Sequence, residues 1–128
     1  MTLLLDTHLL LWALAAPKRL PTPATRAIER ASTVFFSPVN LWEIGIKVSL
    51  WPEYGIACVD DIHAGALRAN LRELPVLSKD TMMSTKMPML HRDPIDRILI
   101  AQSHNNQCHL VTVDRKIASY RMPYVLYL

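Results

Sequence analysis

The sequence predicts an α/β domain, with a mostly parallel central sheet of about four to five strands and helices on both faces. Three observations lead there. Short apolar or β-branched runs (2–5, 33–36, 109–113, 124–127) alternate with longer stretches that read as helices. Cap-and-proline pairs, Ser37-Pro38 and Asp93-Pro94, mark where two of those helices start. The composition, 51% hydrophobic and 20% charged over 128 residues, suits one self-sufficient core and excludes a disordered chain.

Taken in order, Thr2 to Leu5 is a buried strand, and Thr7 is placed to cap a helix over about His8 to Ala15. Pro17 and Pro21 end that helix, and Pro23 fits the first turn of a second one, capped by Thr22 and running through Ala31. Thr33 to Phe36 is the second strand, and Ser37-Pro38 opens a helix to about Leu50. The chain turns over Trp51 to Tyr54, and a helix from Asp60 or Asp61 to Arg72 follows. Leu74-Pro75-Val76 is at most a very short strand, since Pro75 has no N–H to give a ladder. Ser78 caps a helix that ends before Pro88, Asp93-Pro94 starts one from Ile95 to about His104, and His109 to Val113 is a strand. Asp114 opens a short helix to about Tyr120, and Tyr124 to Tyr127 is the last strand. With no linker or repeat in view, residues 1–128 are expected to form one domain.

Several function classes are excluded. The early leucines are interrupted by Asp6 and His8, too soon for a membrane span or an export signal, so a cytoplasmic protein with no membrane contact is expected. Cys58 and Cys108 lie far apart without a C-x-x-C pair and read as buried apolar fillers. The three glycines form neither a dinucleotide loop nor a P-loop, and no G-x-S-x-G occurs. The histidines at 8, 63, 91, 104 and 109 have no metal-ligand spacing, although His104, Cys108 and His109 cluster in sequence. The net charge of +3 favours an anionic partner slightly, and equally fits a basic surface that only keeps the chain in solution.

Four acids stand out by placement. Asp6 and Asp114 each end an apolar strand, at the carboxyl edge where parallel sheets keep their sites. Glu43 sits in a helix that is apolar round most of its circumference, and Asp96 lies in the first turn of another. Singly, each has an ordinary structural role: Asp6 and Asp114 as helix caps, Glu43 as the partner of Lys47 one turn on, Asp93 and Asp96 as a capping box. Together, four half-buried carboxylates are better explained by a shared hard divalent cation, Mg²⁺ or Mn²⁺. A haloacid-type phosphatase is excluded because His8 stands where its second Asp belongs, and a phosphoacceptor receiver because Asp6 has no adjacent acid.

The run Leu3-Leu4-Leu5-Asp6-Thr7-His8, the stretch Ser37-Pro38-Val39-Asn40-Leu41-Trp42-Glu43-Ile44, the block from His91 to Gln102 and the strand end Val111-Thr112-Val113-Asp114 together resemble PIN-domain ribonucleases, specifically VapC-like toxins. The resemblance runs in order along the whole chain. It implies a parallel sheet, a magnesium or manganese site, metal-dependent cleavage of RNA and a cognate antitoxin protein. By position, Asp6, Glu43, Asp96 and Asp114 match the acidic quartet, and Asp93 matches a further acid that here reads first as a helix cap. Ile95 replaces a usual Phe, a conservative departure. Lys47, Arg97 and Arg115 lie near site acids and could hold substrate phosphates or neutralise their neighbours. The apolar helix 38–50 points to a homodimer surface. The alternative of a non-catalytic RNA- or protein-binding module predicts that part of the quartet is missing, and none is; a nuclease acting on DNA survives, since nothing in the sequence reads a 2′-hydroxyl.

Overall fold

In a computed structural model, which describes residues 1–88 and 92–128, the apolar runs assemble into a five-stranded sheet in the order β3-β2-β1-β4-β5. The strands are β1 (Thr2–Leu5), β2 (Thr33–Phe36), β3 (Arg72–Glu73), β4 (His109–Thr112) and β5 (Val125–Tyr127). Every pairing is parallel, with Leu3 beside Val34 and His109, and Leu5 beside Val111. A central parallel strand is covered on both faces, which is why β1 reads as unbroken leucine.

The helices are α1 (Thr7–Ala15), α2 (Thr22–Arg30), α3 (Pro38–Lys47), α4 (Val59–Arg68), α5 (Ser78–Lys86), α6 (Pro94–Asn106) and α7 (Arg115–Ala118). Leu3, Leu5, Phe36 and Val111 face a core built with Leu9 to Leu11 of α1, Ala24 of α2, Ile44 of α3, and Ile62 and Ala66 of α4. The alternate strand residues, Leu4 and Leu110, face a second core with Leu99 and Ile100 of α6 and Ile117 of α7. The chain moves outward through β2 and β3, then crosses back to β4. Reversing direction with the same crossover hand moves the later helices to the opposite face.

Most element ends agree with the sequence, and the departures have local causes. The cap of α1 is Asp6 rather than Thr7: the Leu9 N–H donates to Asp6 Oδ1 at 2.9 Å. Thr22 and Ser78 are first helical residues, not caps; Pro21 and Leu77 precede them, and Asp80 accepts the Leu77 N–H at 2.8 Å. Helix α4 stops at Arg68, short of the expected Arg72, because Asn70 takes a left-handed φ of 63° and the Leu71 N–H turns back to the Ala66 carbonyl at 3.0 Å. Freed from the helix, Arg72–Glu73 pairs as β3 two residues ahead of the expected 74–76, where Pro75 ends the ladder. Helix α3 tightens into a 3₁₀ turn over Val48–Leu50, and α6 runs past His104 to a left-handed Gln107. Cys108 is buried as expected, and burial pushes its thiol up to about 11. Cys58 is not a core filler: it is exposed, in the turn before α4. His91 lies outside the described residues.

Candidate active site

Strand order places the site before any side chain is considered. From β1 the chain leaves toward β2 on one side and later returns to β4 on the other, so the carboxyl ends of β1 and β4 flank a crevice, the switch point at which open parallel sheets bind ligands. Asp6 follows β1 directly, and its N–H continues the ladder to the Val111 carbonyl at 3.1 Å. Asp114 lies just past β4, where it caps α7 by accepting the Lys116 N–H at 2.8 Å.

Two helices complete the crevice. Ser37 accepts the Val39 N–H at 3.2 Å, Asn40 Oδ1 accepts the Ser37 N–H at 2.7 Å, and this capping box fixes the start of α3. Asn40 then donates to Thr7 Oγ1 at 3.1 Å, which locks α3 against the start of α1 and keeps Glu43 on the same cleft wall as Asp6. At the start of α6, Asp93 accepts the Ile95 N–H at 2.9 Å, and Asp96 follows one turn in, 8% exposed. The result is a cleft of about 200 Å³ whose wall carries Asp6, Glu43, Asp93, Asp96 and Asp114, with Thr7, His8 and Lys47 beside them.

The structure thus brings together all four quartet residues, and Asp93 besides. Asp93 both caps α6 and faces the cleft. Of the three cations named from sequence, only Lys47 lines it, its Nζ 2.7 Å from Glu43 Oε2. That hydrogen bond holds the Lys47 ammonium above its ordinary pKa; partial burial opposes the shift, and the charges of Glu43, Asp93 and Asp96 add to it. Arg97 is a correction. It is 7% exposed, and its guanidinium donates to the Ser84 carbonyl at 2.6 and 3.0 Å and to the Met87 carbonyl at 2.9 Å. Those are orphan carbonyls at the C-terminal end of α5, where a cation belongs, so Arg97 braces α5 against α6. Arg115 is exposed at the start of α7 and is not part of the cleft wall.

Asp6 is the most constrained acid. Burial raises its pKa above the usual carboxylate value; the Thr112 hydroxyl, the Leu9 N–H and nearby His8 pull it back, and Asp114 adds a smaller push upward. Thr112 was not singled out in the sequence, yet its wholly buried hydroxyl donates to Asp6 Oδ2 at 2.5 Å and accepts the Asp114 N–H at 3.0 Å. Threonine is ordinary in a strand, so its identity carried no signal. Asn40 had one, a capping partner three residues after Ser37.

The chemistry of this wall suits a hard cation. Five carboxylates, all hard oxygen ligands, face one lysine, and burial makes the Asp6 carboxylate resist ionisation. Among the described residues no three His, Cys, Asp or Glu side chains already converge as a ligand cage. Glu43 is turned to Lys47 and Asp6 to Thr112, so gripping an ion requires side-chain rotation, for which Glu43 has the reach.

A parallel sheet in this order, with acids at the ends of its two central strands, defines an α/β protein with an acidic switch-point site. The family model described as the PIN domain matches residues 3–122, and the chain belongs to that family. A curated relative, Ribonuclease VapC22 of Mycobacterium tuberculosis, is 26% identical over 134 residues, covering 95% of this chain and 94% of the relative. Among solved structures, VapBC2 from Rickettsia felis bound to a DNA fragment from its promoter superposes with a TM-score of 0.68 at 16% identity, covering 100% of this chain and 98% of the other. A toxin-antitoxin complex from Klebsiella pneumoniae gives 0.65 at 14% identity, covering 96% and 94%, and FitAcB from Neisseria gonorrhoeae gives 0.64 at 12%, covering 98% and 96%. At those identities the superpositions speak to the fold.

Proposed function

We propose that this chain is a metal-dependent endoribonuclease acting on single-stranded or structured RNA, and the toxin of a toxin-antitoxin pair. The observation that carries the reading is the cleft wall: five carboxylates and one lysine at the switch point between β1 and β4. The similarity to a named ribonuclease, and to chains solved in toxin-antitoxin assemblies, supports the choice of substrate and partner. Asp6 and Asp96 would ligate Mg²⁺ or Mn²⁺ directly, with Glu43 and Asp114 completing a second position or orienting water. Bound there, the cation supplies an activated water and neutralises charge on the phosphate.

The protein's own part is positioning. Thr112 holds one oxygen of Asp6 and the Leu9 N–H holds the other, which fixes the plane of that carboxylate. When Glu43 turns inward, the Lys47 ammonium is released beside the cleft for a phosphate oxygen. Arg115, exposed next to Asp114, lies where a more distant phosphate could pass. Without a cation the wall repels RNA, so metal and substrate binding are coupled.

Two partners follow. A small antitoxin is expected as a partner, in keeping with the similarity to a chain solved in a toxin-antitoxin complex. A second copy of the chain fits α3 and the turn after it, where Trp42, Ile46 and Leu50 are 56%, 59% and 68% exposed at four-residue intervals, an apolar stripe of the kind that copies bury between them. Among the described residues no helix is long and apolar enough to cross a membrane, and a cytoplasmic location is proposed on the strength of the proposed action on RNA.

The test is to incubate the purified chain with a mixed RNA pool and with single- and double-stranded DNA, with Mg²⁺, with Mn²⁺ and with EDTA. RNA cleavage that EDTA abolishes is the expected result. Cleavage unchanged in excess EDTA would falsify the mechanism, and cleavage of DNA alone would replace the substrate.

A further inference from the structure

The cleft wall leaves a question of affinity unanswered. Five carboxylates against one lysine do not hold a polyanion by charge, and a bound cation offsets only part of the repulsion. Some neutral contact must hold the strand near the acids.

His8 lies in the first turn of α1, two residues after Asp6, and is an exposed member of the cleft wall. Its ring meets Trp12, one turn further along α1, at a centroid distance of 5.9 Å, and Trp51, from the turn beyond α3, at 5.6 Å. The two indoles are half-buried, so each keeps ring surface in reach of solvent. Trp12 is also braced. The Trp12 indole N–H donates to the Tyr54 hydroxyl at 3.0 Å, Arg19 donates to the same oxygen at 2.7 Å, and the Arg19 guanidinium lies 5.2 Å from the Tyr54 ring centre. The polar atom of Trp12 is therefore spent inside the protein, and what remains outward is aromatic surface on a fixed support. Core packing accounts for Trp12, Trp51 and Tyr54, which border the first core cluster, but not for an exposed imidazole set against two indoles at the rim of an acidic cleft.

We infer that His8, Trp12 and Trp51 form a stacking ledge for a nucleobase of single-stranded RNA next to the bond that is cut. The inference rests on the ribonuclease reading above and adds where the strand is held. Stacking fits this rim because it needs no positive charge and tolerates any base, since every base has a π face. A rigid ledge also loses little side-chain freedom on binding. The strand it selects is unpaired, because a base inside a duplex has both faces covered.

The test compares a short adenylate RNA with the same backbone carrying an abasic residue at each position in turn. Binding is read by quenching of indole emission in Trp42→Phe protein that also carries Asp96→Asn to prevent cutting; single-turnover cleavage is read in the Asp96 protein. Expected are quenching by the intact RNA, its loss at one abasic position beside the cut, and a roughly ten- to hundred-fold weaker affinity in Trp51→Leu and in His8→Ala. His8→Phe should restore affinity, which a merely structural or charge-based role would not produce. His8 is exposed, so its variants test the ledge even if Trp51→Leu disturbs folding. Equal binding of intact and abasic RNA, with cleavage retained, would overturn the ledge and leave the nuclease standing. Quenching with no cleavage of RNA by the Asp96 protein under any metal would instead remove the nuclease, and with it a ledge beside a cut bond. Variants that bind RNA normally but escape inhibition by the co-encoded protein would make this a protein-docking surface and overturn the proposal.

Discussion

The hydroxyl of Thr112 donates to Asp6 Oδ2 at 2.5 Å, although the two residues are 106 positions apart in the chain. Thr112 Oγ1 also accepts the Asp114 N–H at 3.0 Å, so one buried side chain joins the ends of both strands that frame the cleft. Thr112→Val keeps the shape and removes both bonds, leaving a buried carboxylate oxygen and a backbone N–H without that partner. Stability should fall by about 1–3 kcal/mol. Mn²⁺ affinity should fall as well, because Asp6 loses the group that sets its plane, while Thr112→Ser should recover most of both. Thermal unfolding in EDTA and calorimetry with Mn²⁺ measure the two effects; a Val variant as stable as the parent would mean the pair contributes nothing net.

Asp6 itself should behave in the opposite sense. Burial raises its pKa above 3.8, so the folded chain holds that proton more tightly than the unfolded one. The Asp6 contribution is therefore most favourable below 3.8 and is lost as pH rises from 3.8 through the raised folded value. Asp6→Asn removes this cost. Without metal, the variant should melt above the parent at neutral pH, and the gap should close as the pH is lowered toward 3.8. Cleavage and Mn²⁺ binding should both be lost. Unaltered Mn²⁺ affinity would count against Asp6 as a ligand.

These two residues mark how far the sequence could be read. Asp6 was legible because an acid after three leucines has few places to be other than the edge of a buried strand, and the same pattern found Asp114. Glu43 and Asp96 were legible as acids on largely apolar helices. Thr112 was not, because a threonine that bonds two strand ends looks the same in sequence as one that only fills a strand. Arg97 was misread for a related reason: adjacency to Asp96 fixes where its backbone lies, but a long side chain on a helix reaches another turn, here the end of α5. Element ends slipped where a left-handed residue decided them, as at Asn70 and Gln107, and neither is glycine.

Lys47 and Arg97 should therefore separate in mutagenesis. Lys47→Met breaks a partly exposed pair with Glu43, worth at most about 0.5 kcal/mol, so the melting temperature should hardly move while RNA affinity drops at low salt. Arg97→Met strips three hydrogen bonds from the end of α5 inside the protein, and stability should fall by roughly 2–4 kcal/mol. Arg97→Lys should rescue little, because an ammonium cannot match the guanidinium fork. Paired unfolding and filter-binding measurements decide; a stable Arg97→Met protein with weakened RNA binding would return Arg97 to the substrate.

The stripe of Trp42, Ile46 and Leu50 makes a prediction about assembly. Burying three large apolar side chains that now meet water favours association by up to several kcal/mol before the cost of joining two molecules is counted. Ile46→Glu places a charge in the middle of that surface without touching the core, so the fold and melting temperature of the isolated chain should persist while the sedimenting species halves in mass. A chain that is monomeric at all accessible concentrations before mutation would remove the dimer.

Asp93 and Asp96 share one helix turn and one cleft, yet they should fail in different ways. Asp93 precedes Pro94, whose ring needs no N–H partner, and its Oδ1 accepts the Ile95 N–H at 2.9 Å. Removing a side-chain cap of this kind costs about 1 kcal/mol, so Asp93→Ala should lower stability by that order. Much of the cleavage rate should survive, because Asp93 already spends one oxygen on the helix. Asp96 is nearly buried in a cleft wall that also carries Asp6, Glu43, Asp93 and Asp114. Neutralising it relieves repulsion when no cation is present, so Asp96→Asn should unfold at or slightly above the parent temperature in EDTA while single-turnover cleavage in Mn²⁺ collapses. The parent should gain more stability from added Mn²⁺ than Asp96→Asn does, since only ligand binding to the folded state raises the melting point. If Asp93→Ala is stable but inactive and Asp96→Asn still cuts, the roles of the two acids are exchanged: the metal contact lies at the cap, and the acid one turn in is structural.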